Sequence, residues 1–148
     1  MIRILGIDPG GTTGLALVSV DNVSAPNIIW QKQIAGGLEG FLNFHWDELL
    51  DTRIDLIVCE SFTLREGVHG VDLTPTYIIG ALEALYPTMP IVYQAPKMKP
   101  LCDDTRLKKM GFYVPARGHA MDAVRHVMVY LRGTKHMPTL DLGWGDNE

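Results

Sequence analysis

Cysteine is scarce in this chain of 148 residues, which contains only Cys59 and Cys102. The two lie far apart and have no C-x-x-C spacing, so the sequence predicts neither a zinc site nor a disulfide framework. Cys59 falls within the apolar run DLIVCE, where a free thiol behaves as a small buried hydrophobic group. This usage is typical of a protein from a reducing compartment, and we expect a cytoplasmic location.

Long apolar runs are also missing. No run reaches the roughly 18 residues that a membrane-spanning helix needs. The first residues, MIRILGID, pass directly into a strand pattern, so no secretory signal is expected. The sequence contains no internal repeat, low-complexity tract or linker-like segment. With 47% hydrophobic and 20% charged residues, the composition is typical of a single soluble globular domain.

Basic residues are rare in the first 90 positions, which contain four basic residues and eleven acidic ones. Residues 91–140 reverse the balance with nine basic residues and three acids, although the net charge of the chain is −4. Segregation of this kind predicts that one region of the protein faces a polyanion. The alternative is chance clustering of charges on a solvated helix.

Hydrophobic patterning predicts an α/β domain with a five-stranded mixed sheet and helices on both faces. IRILGID, GLALVSVD and NIIWQKQIA are three consecutive strands with short connections, and should therefore be antiparallel. DLIVCE and PIVYQA predict two further strands. Helices are expected over GLEGFLNFHWDELLD, near residues 75–86 and over DDTRLKKMG, where Asp103 or Asp104 is the N-cap and Gly111 ends the helix.

The last strong element is a helix that begins after VPARGH. An apolar stripe at helical spacing predicts its buried face, formed by Ala120, Val124, Val127, Met128 and Leu131. His119, Asp122 and His126 share the opposite side. We interpret His126 as a surface residue rather than a ligand, and the sequence leaves open whether it is only exposed or supports a ligand from behind. The following PTLDLGWGDNE, with two glycines, a proline and three acids, predicts a loose tail. The domain is therefore placed at residues 1–135 and the tail at 136–148.

Three acids stand where elements end or begin. Asp8 ends the first strand, Glu60 ends the fourth and Asp122 opens the final helix. If the first and fourth strands are neighbours, Asp8 and Glu60 converge at one edge of the sheet, and His119 and Asp122 close the site from above. Clustered carboxylates repel one another, and divalent cations relieve that repulsion. The oxygen-rich set favours Mg²⁺ or Mn²⁺, and an imidazole favours Mn²⁺.

Each of these residues also has a plainer interpretation. Asp8 is alternatively a solvated turn residue, Asp122 a partner of the helix dipole, and His119 a helix cap. The stretch DPGGT at residues 8–12 also matches the Asp-x-Gly-x-Thr phosphate loop of actin-like and sugar-kinase-like ATPases. That fold requires two related domains and a second glycine-rich loop, so the length and sequence favour the metal-binding interpretation.

The motifs LGIDPGGTTGLAL, IVCES and HAMDAVRHVMVYL, in that order, resemble the three catalytic motifs of the RuvC-type Holliday junction resolvases. The resemblance covers residues 2 to about 132 and implies an RNase H-like fold. It also implies an endonuclease that hydrolyses Holliday junctions or other branched DNA with two Mg²⁺ or Mn²⁺ ions. Its catalytic metal ligands would be Asp8, which bridges both ions, and Glu60, His119 and Asp122. Many family members have aspartate at the position of His119, and others have histidine.

The segment YQAPKMK resembles the strand end that precedes the family's DNA-contacting helix. The resemblance makes five basic residues candidates for phosphate contacts: Lys97, Lys99, Arg106, Lys108 and Lys109. Lys97 or Lys99 is also expected to stabilise the charge on the transferring phosphate. All five lie in the basic region that charge counting identifies.

The family also implies a homodimer whose two sites cut opposite strands of a junction. Phe62 and Arg65 lie near the position of a family aromatic that contacts DNA, although in a different register, and Phe62 is alternatively a loop anchor. The short chain and modest basic patch favour a phage-type resolvase, or a flap and branched-DNA endonuclease, which would act in the host cytoplasm if phage-encoded. The alternatives are an RNA-processing nuclease of the same superfamily and a non-catalytic module that binds DNA structures.

Overall fold

Five strands form one mixed sheet in the computed structural model, which describes residues 1–64, 66–67 and 69–145. The strands are β1 (Ile2–Asp8), β2 (Thr12–Val20), β3 (Asn27–Ala35), β4 (Leu56–Glu60) and β5 (Ile91–Gln94). They lie in the order β3-β2-β1-β4-β5. The first three are antiparallel neighbours, whereas β1, β4 and β5 run parallel. The predicted five-stranded mixed sheet is confirmed.

Helices cover both faces of this sheet. They are α1 (Gly37–Phe44), α2 (Thr74–Leu85), α3 (Asp104–Met110), α4 (Gly118–Gly133) and α5 (Met137–Trp144). A π-helical turn follows α1 at His45–Leu49, and a 3₁₀ helix, Pro96–Cys102, follows β5. Helices α1 and α2 pack on one face, and α4 packs on the other with α3 beside it. In the part of the chain described, no helix is long and apolar enough to cross a membrane.

The two ends of α3 follow local sequence rules. The Asp103 side chain accepts a hydrogen bond from the backbone N–H of Arg106 at 3.0 Å, as an N-cap residue does. Gly111 ends the helix with a positive φ of 80°, a conformation that glycine adopts without steric cost. Both predicted caps are confirmed.

Side-chain alternation along the central strands divides the core into two layers. Leu5, Ile7 and Ile57 face α1 and α2, while Ile4 and Val58 face α4. This division follows from the period of two in a strand, which sends successive side chains to opposite faces.

Two glycines let α4 lie directly on the sheet. A Cβ atom on Gly6 of β1 would stand 2.5 Å from the carbonyl oxygen of Ala123, too close for any real contact. A Cβ on Gly14, which pairs with Asp8, would overlap the carbonyl of His119. Because these two positions have no side chain, the first turns of α4 can lie directly against the strands near Asp8.

The prediction of a loose tail is wrong for residues 137–144, which form α5. His136 Nδ1 lies 2.7 Å from Thr139 Oγ1 at the start of the helix. Gly143 is buried against Met110, and an added Cβ would stand 2.9 Å from Met110 Cε. Helix α5 forms because it packs on α3, a tertiary effect that the local glycine and proline content does not reveal. The domain boundary at residue 135 stays a prediction.

Candidate active site

Parallel pairing of β1 with β4 places Asp8 beside Glu60. The register runs through Ile7 opposite Cys59, so the next residue of each strand reaches the same edge of the sheet. The two carboxyl groups are hydrogen-bonded to each other. Each side chain is only 13% exposed. The sheet therefore brings together the two acids that were expected to converge.

The amino end of α4 brings His119 and Asp122 to the same edge. His119 Nδ1 lies 3.5 Å from Asp8 Oδ2, and Asp122 lies one helical turn further along. Gln33 on β3 caps this helix: its Oε1 accepts from the backbone N–H groups of His119 at 2.9 Å and Ala120 at 3.1 Å. Sequence patterning did not identify Gln33, because the contact spans 86 residues.

Lys99 links two of the acids. It extends from the 3₁₀ helix after β5, and its Nζ lies 3.2 Å from Glu60 Oε2 and 3.3 Å from Asp122 Oδ2. Partial burial opposes the charge of this ammonium, but Glu60 and Asp122 outweigh it and raise the pKa of Lys99. Arg125 Nη1 lies 3.7 Å from the other oxygen of Asp122. Two cations of the protein therefore contact the Asp122 carboxylate.

The protonation of the two paired acids differs. Burial, followed by the charges of Glu60 and Asp122, raises the pKa of Asp8 from 3.8 to about 8. Burial acts in the same direction on Glu60, but the hydrogen bond from His126 and the charge of Lys99 hold its pKa below the usual value. In the Asp8–Glu60 pair the proton therefore resides on Asp8, while Glu60 is the carboxylate.

His126 is fully buried and contacts Glu60, so its interpretation as a surface residue is wrong. Its Nε2 lies 2.9 Å from Glu60 Oε2, and its Nδ1 lies 2.8 Å from the side-chain amide of Gln94. The 3₁₀ helix packs beside α4, which leaves little of that side to solvent. The spacing of four residues from Asp122 was the available signal, since it places both side chains on one side of the helix.

The donor set fits a divalent cation in its chemistry. Three carboxylates and an imidazole form the oxygen-rich combination that Mg²⁺ and Mn²⁺ prefer. A bound cation would also offset the repulsion that raises the pKa of Asp8. Within the described residues, no three His, Cys, Asp or Glu side chains already surround one metal position. The ammonium of Lys99 instead contacts Glu60 and Asp122, so ligation requires these side chains to rearrange.

The remaining basic candidates lie away from the carboxylates. Lys97 is exposed on the same 3₁₀ helix as Lys99. Arg106 donates to the carbonyl of Gly143, and Lys109 donates to that of Gly145, both at 2.7 Å. Lys108 Nζ lies 4.8 Å from the ring centroid of Tyr113. Arg106 and Lys109 thus hold the end of α5, and their expected contacts with DNA stay predictions.

The two candidates in the segment after β4 have different outcomes. Phe62 is half-buried and lines a surface depression together with Glu60, Pro9 and Pro96. It therefore lies near Glu60, one of the candidate metal ligands. Arg65 lies outside the described residues.

No protein-family model and no curated protein match this chain. Solved structures do match. T. thermophilus RuvC in complex with Holliday junction substrate is 15% identical, with a TM-score of 0.71 over 93% of this chain and 98% of the other. A second structure, Thermus thermophilus RuvC, is 18% identical, with a TM-score of 0.65 over 90% and 97%. The complex of Fowlpox virus resolvase with substrate Holliday junction DNA is 12% identical, with a TM-score of 0.61 over 88% and 99%. At these identities the likeness establishes the fold, and the chain has the RNase H-like fold of RuvC-type resolvases.

Proposed function

We propose that this protein is a metal-dependent endonuclease that cleaves Holliday junctions or other branched DNA. The observation that carries the proposal is the convergence of Asp8, Glu60, His119 and Asp122 at one edge of the sheet. The fold likeness supports it, because two of the similar structures are resolvases in complex with Holliday junction DNA. A binding module would have no need of a carboxyl group whose pKa is raised by burial and by two neighbouring carboxylates, as that of Asp8 is.

The four side chains would hold two Mg²⁺ or Mn²⁺ ions. When bound, such a pair supplies an activated water and stabilises the leaving 3′ oxygen of a phosphodiester. Asp8 touches both Glu60 and His119, so it is the candidate for the ligand shared by the two ions. Because its pKa is raised to about 8, Asp8 would release a proton as it becomes a ligand. The expected products carry a 5′-phosphate and a 3′-hydroxyl.

Lys99 would act on the phosphate. Its side chain is 26% exposed and its ammonium already lies at the carboxylates. A non-bridging phosphate oxygen can replace one of its carboxylate partners, which would place the positive charge where negative charge develops in the transition state. Lys97 is exposed two residues earlier and would contribute to the same field.

DNA binding would extend beyond the cleavage site. Lys97, Arg106, Lys108 and Lys109 are the candidates for phosphate contacts, and Phe62 for stacking beside Glu60. Arg106 and Lys109 would have to exchange their carbonyl partners in α5 for phosphate oxygens. A homodimer would supply the second site that symmetric cleavage of a junction requires, and the cytoplasm is the expected compartment.

A substrate panel tests the proposal. Four-way, three-way, flap and linear DNA of matched sequence, together with a structured RNA, are incubated with Mg²⁺ or Mn²⁺, and EDTA is the control. We expect cleavage of the branched DNA only with the metal, and little cleavage of linear DNA. Preferential cleavage of the RNA would favour an RNA-processing nuclease. Tight binding of junctions without cleavage under any metal would favour a non-catalytic module.

A further inference from the structure

His126 is a buried polar side chain that the proposed chemistry does not use directly. Its side chain is completely buried, yet both ring nitrogens have partners. It lies on α4 and connects the last residue of β4, Glu60, with the last residue of β5, Gln94. A buried imidazole that joins three elements through two hydrogen bonds has a defined orientation.

The Gln94 amide determines which ring nitrogen carries the proton. Oriented with its NH₂ group toward the ring, the amide donates to His126 Nδ1 at 2.8 Å and to the His126 carbonyl at 3.2 Å, and its oxygen accepts from the Tyr130 N–H at 3.2 Å. The opposite orientation leaves the amide oxygen facing only acceptors. His126 Nδ1 is then an acceptor, so the proton is on Nε2, which donates to Glu60.

Glu60 is consequently held from two sides. His126 Nε2 at 2.9 Å and Lys99 Nζ at 3.2 Å both donate to the same oxygen, Oε2. Lys99 is partly exposed and carries a flexible side chain, whereas His126 is fully buried and fixed by Gln94. If Lys99 turns toward a phosphate, His126 is the donor that still fixes the Glu60 carboxylate.

We infer that His126, oriented by Gln94, is a positioning residue that holds Glu60 ready to bind a divalent cation. The inference rests on the proposed function, in that Glu60 is taken as a metal ligand. Donors behind a metal ligand fix its rotamer before the metal arrives, and their removal weakens metal binding by about 10- to 100-fold. The same type of effect is expected here, with Glu60 as the ligand and the imidazole as its donor.

Mn²⁺ binding without DNA tests the inference, measured by calorimetry on wild type, His126→Leu and His126→Gln. Circular dichroism and thermal melting establish that each variant is folded. We expect His126→Leu to bind Mn²⁺ about 10- to 100-fold more weakly than wild type. His126→Gln should recover most of the affinity, because its amide NH₂ can reach the position of Nε2. A folded His126→Leu protein with wild-type affinity would overturn the inference.

A second variant covers the case in which His126→Leu does not fold. Gln94→Met keeps the length of the side chain and removes the donor to Nδ1, so Mn²⁺ affinity should fall in the same direction but less. Wild-type affinity in folded Gln94→Met would contradict the role of the pair. Long-range ¹H–¹⁵N correlation spectra of the metal-free wild type should show His126 protonated at Nε2 alone, and a proton on Nδ1 would contradict the assignment.

These outcomes separate the inference from the proposed function. Wild-type protein that binds Mn²⁺ but cuts no branched DNA contradicts the function, while the affinities of the variants still decide the role of His126. Cleavage by wild type combined with unchanged Mn²⁺ binding in His126→Leu contradicts the inference alone. Wild-type protein that binds no Mn²⁺ contradicts both.

Discussion

Burial and two neighbouring carboxylates, those of Glu60 and Asp122, all favour the protonated form of Asp8. Together they raise its pKa to about 8, and Lys99 only partly opposes them. An acid in this state favours the protonated form in the metal-free protein and the ionised form once a cation binds. The folded chain alone thus disfavours the ionised form of Asp8, which is the form that a metal ligand must have.

Replacement of Asp8 by asparagine should therefore stabilise the metal-free protein. Between pH 4 and 8 the folded state of wild type binds a proton on Asp8 that the unfolded state has lost, so its stability falls as the pH rises. We expect Asp8→Asn in EDTA to gain on the order of a few kcal/mol over wild type at pH 8, with a much smaller gain at pH 5. Urea unfolding at both pH values measures this. Equal stability of the two proteins at pH 8 would contradict the assigned protonation of Asp8.

His119 should tune the choice of metal. Its imidazole is 54% exposed and lies 3.5 Å from Asp8, so it is accessible to a cation that Asp8 binds. We expect His119→Asp to retain cleavage and to gain activity with Mg²⁺ relative to Mn²⁺, because carboxylate oxygen suits Mg²⁺ better than imidazole does. Ratios of the cleavage rates in the two metals measure the shift. A folded but inactive variant would show that His119 does more than bind metal.

Residue patterns predicted the four candidate ligands but not what supports them. Asp8, Glu60, His119 and Asp122 stand at element ends, which a sequence reveals. Gln33, Gln94 and His126 act through contacts between strands and helices 32 to 87 residues apart. Rules based on local residue spacing cannot predict contacts between residues so far apart in the chain. A histidine on the polar side of a helix, such as His126, can be exposed or buried, and the sequence does not distinguish the two.

At the scale of elements, the position of α4 depends on two glycines in the strands beneath it. Gly6 and Gly14 leave no room for a side chain, and Gly14 lies under the backbone of His119. Strand and helix are thus in backbone contact where the candidate ligands of α4 begin. The packing of α4 on these two glycines therefore helps to determine where the candidate ligands His119 and Asp122 lie.

Gly14→Ala should displace the start of α4. The added methyl group overlaps the carbonyl of His119, and relief of such overpacking costs about 1–3 kcal/mol or more. We expect a lower melting temperature and weakened Mn²⁺ binding in protein that remains folded. Gly118→Ala is the matched control, since its Cβ meets no atom within 4 Å although it adjoins His119. If both substitutions had the same effect, the close approach of Gly14 to the His119 carbonyl could not be the cause of the lower stability and weaker Mn²⁺ binding.

Elements with clear local signals were predicted well, and those that depend on packing were not. The capped helix α3 and the apolar stripe of α4 follow from the sequence. Helix α5 does not, because it forms where Gly143 packs against Met110, a contact that local sequence patterns do not reveal. The burial of the side of α4 that carries His126 was not predicted either. The segment that packs beside it contains a proline and forms a 3₁₀ helix, which sequence patterning did not predict.

For the whole molecule, the uneven distribution of charge predicts how binding to DNA depends on salt. Residues 91–140 carry nine basic residues against three acids in a chain of net charge −4. Arg106 and Lys109, however, already hold carbonyl groups of α5. A count of charges cannot distinguish a lysine that faces solvent from one that stabilises the fold, so the sequence alone overstates the free basic surface.

Lys97→Ala should weaken junction binding through the loss of one phosphate contact. We expect the slope of log affinity against log salt to decrease in magnitude by about 1. Lys135→Ala is the control, because Lys135 is exposed beside Met1 and Ile2 at the opposite end of β1 from Asp8. Fluorescence anisotropy across a salt series measures both slopes. Identical slopes for the two variants would contradict the placement of DNA over the 3₁₀ helix.

The most direct test of the account is cleavage of an end-labelled four-way DNA junction in Mn²⁺ by wild type and Asp8→Asn. Gel shift in the same buffer measures junction binding by each protein. The account predicts that wild type cuts the junction and that Asp8→Asn binds it with similar affinity but leaves it intact. Cleavage by Asp8→Asn at the wild-type rate would contradict the assignment of a metal-dependent site at Asp8.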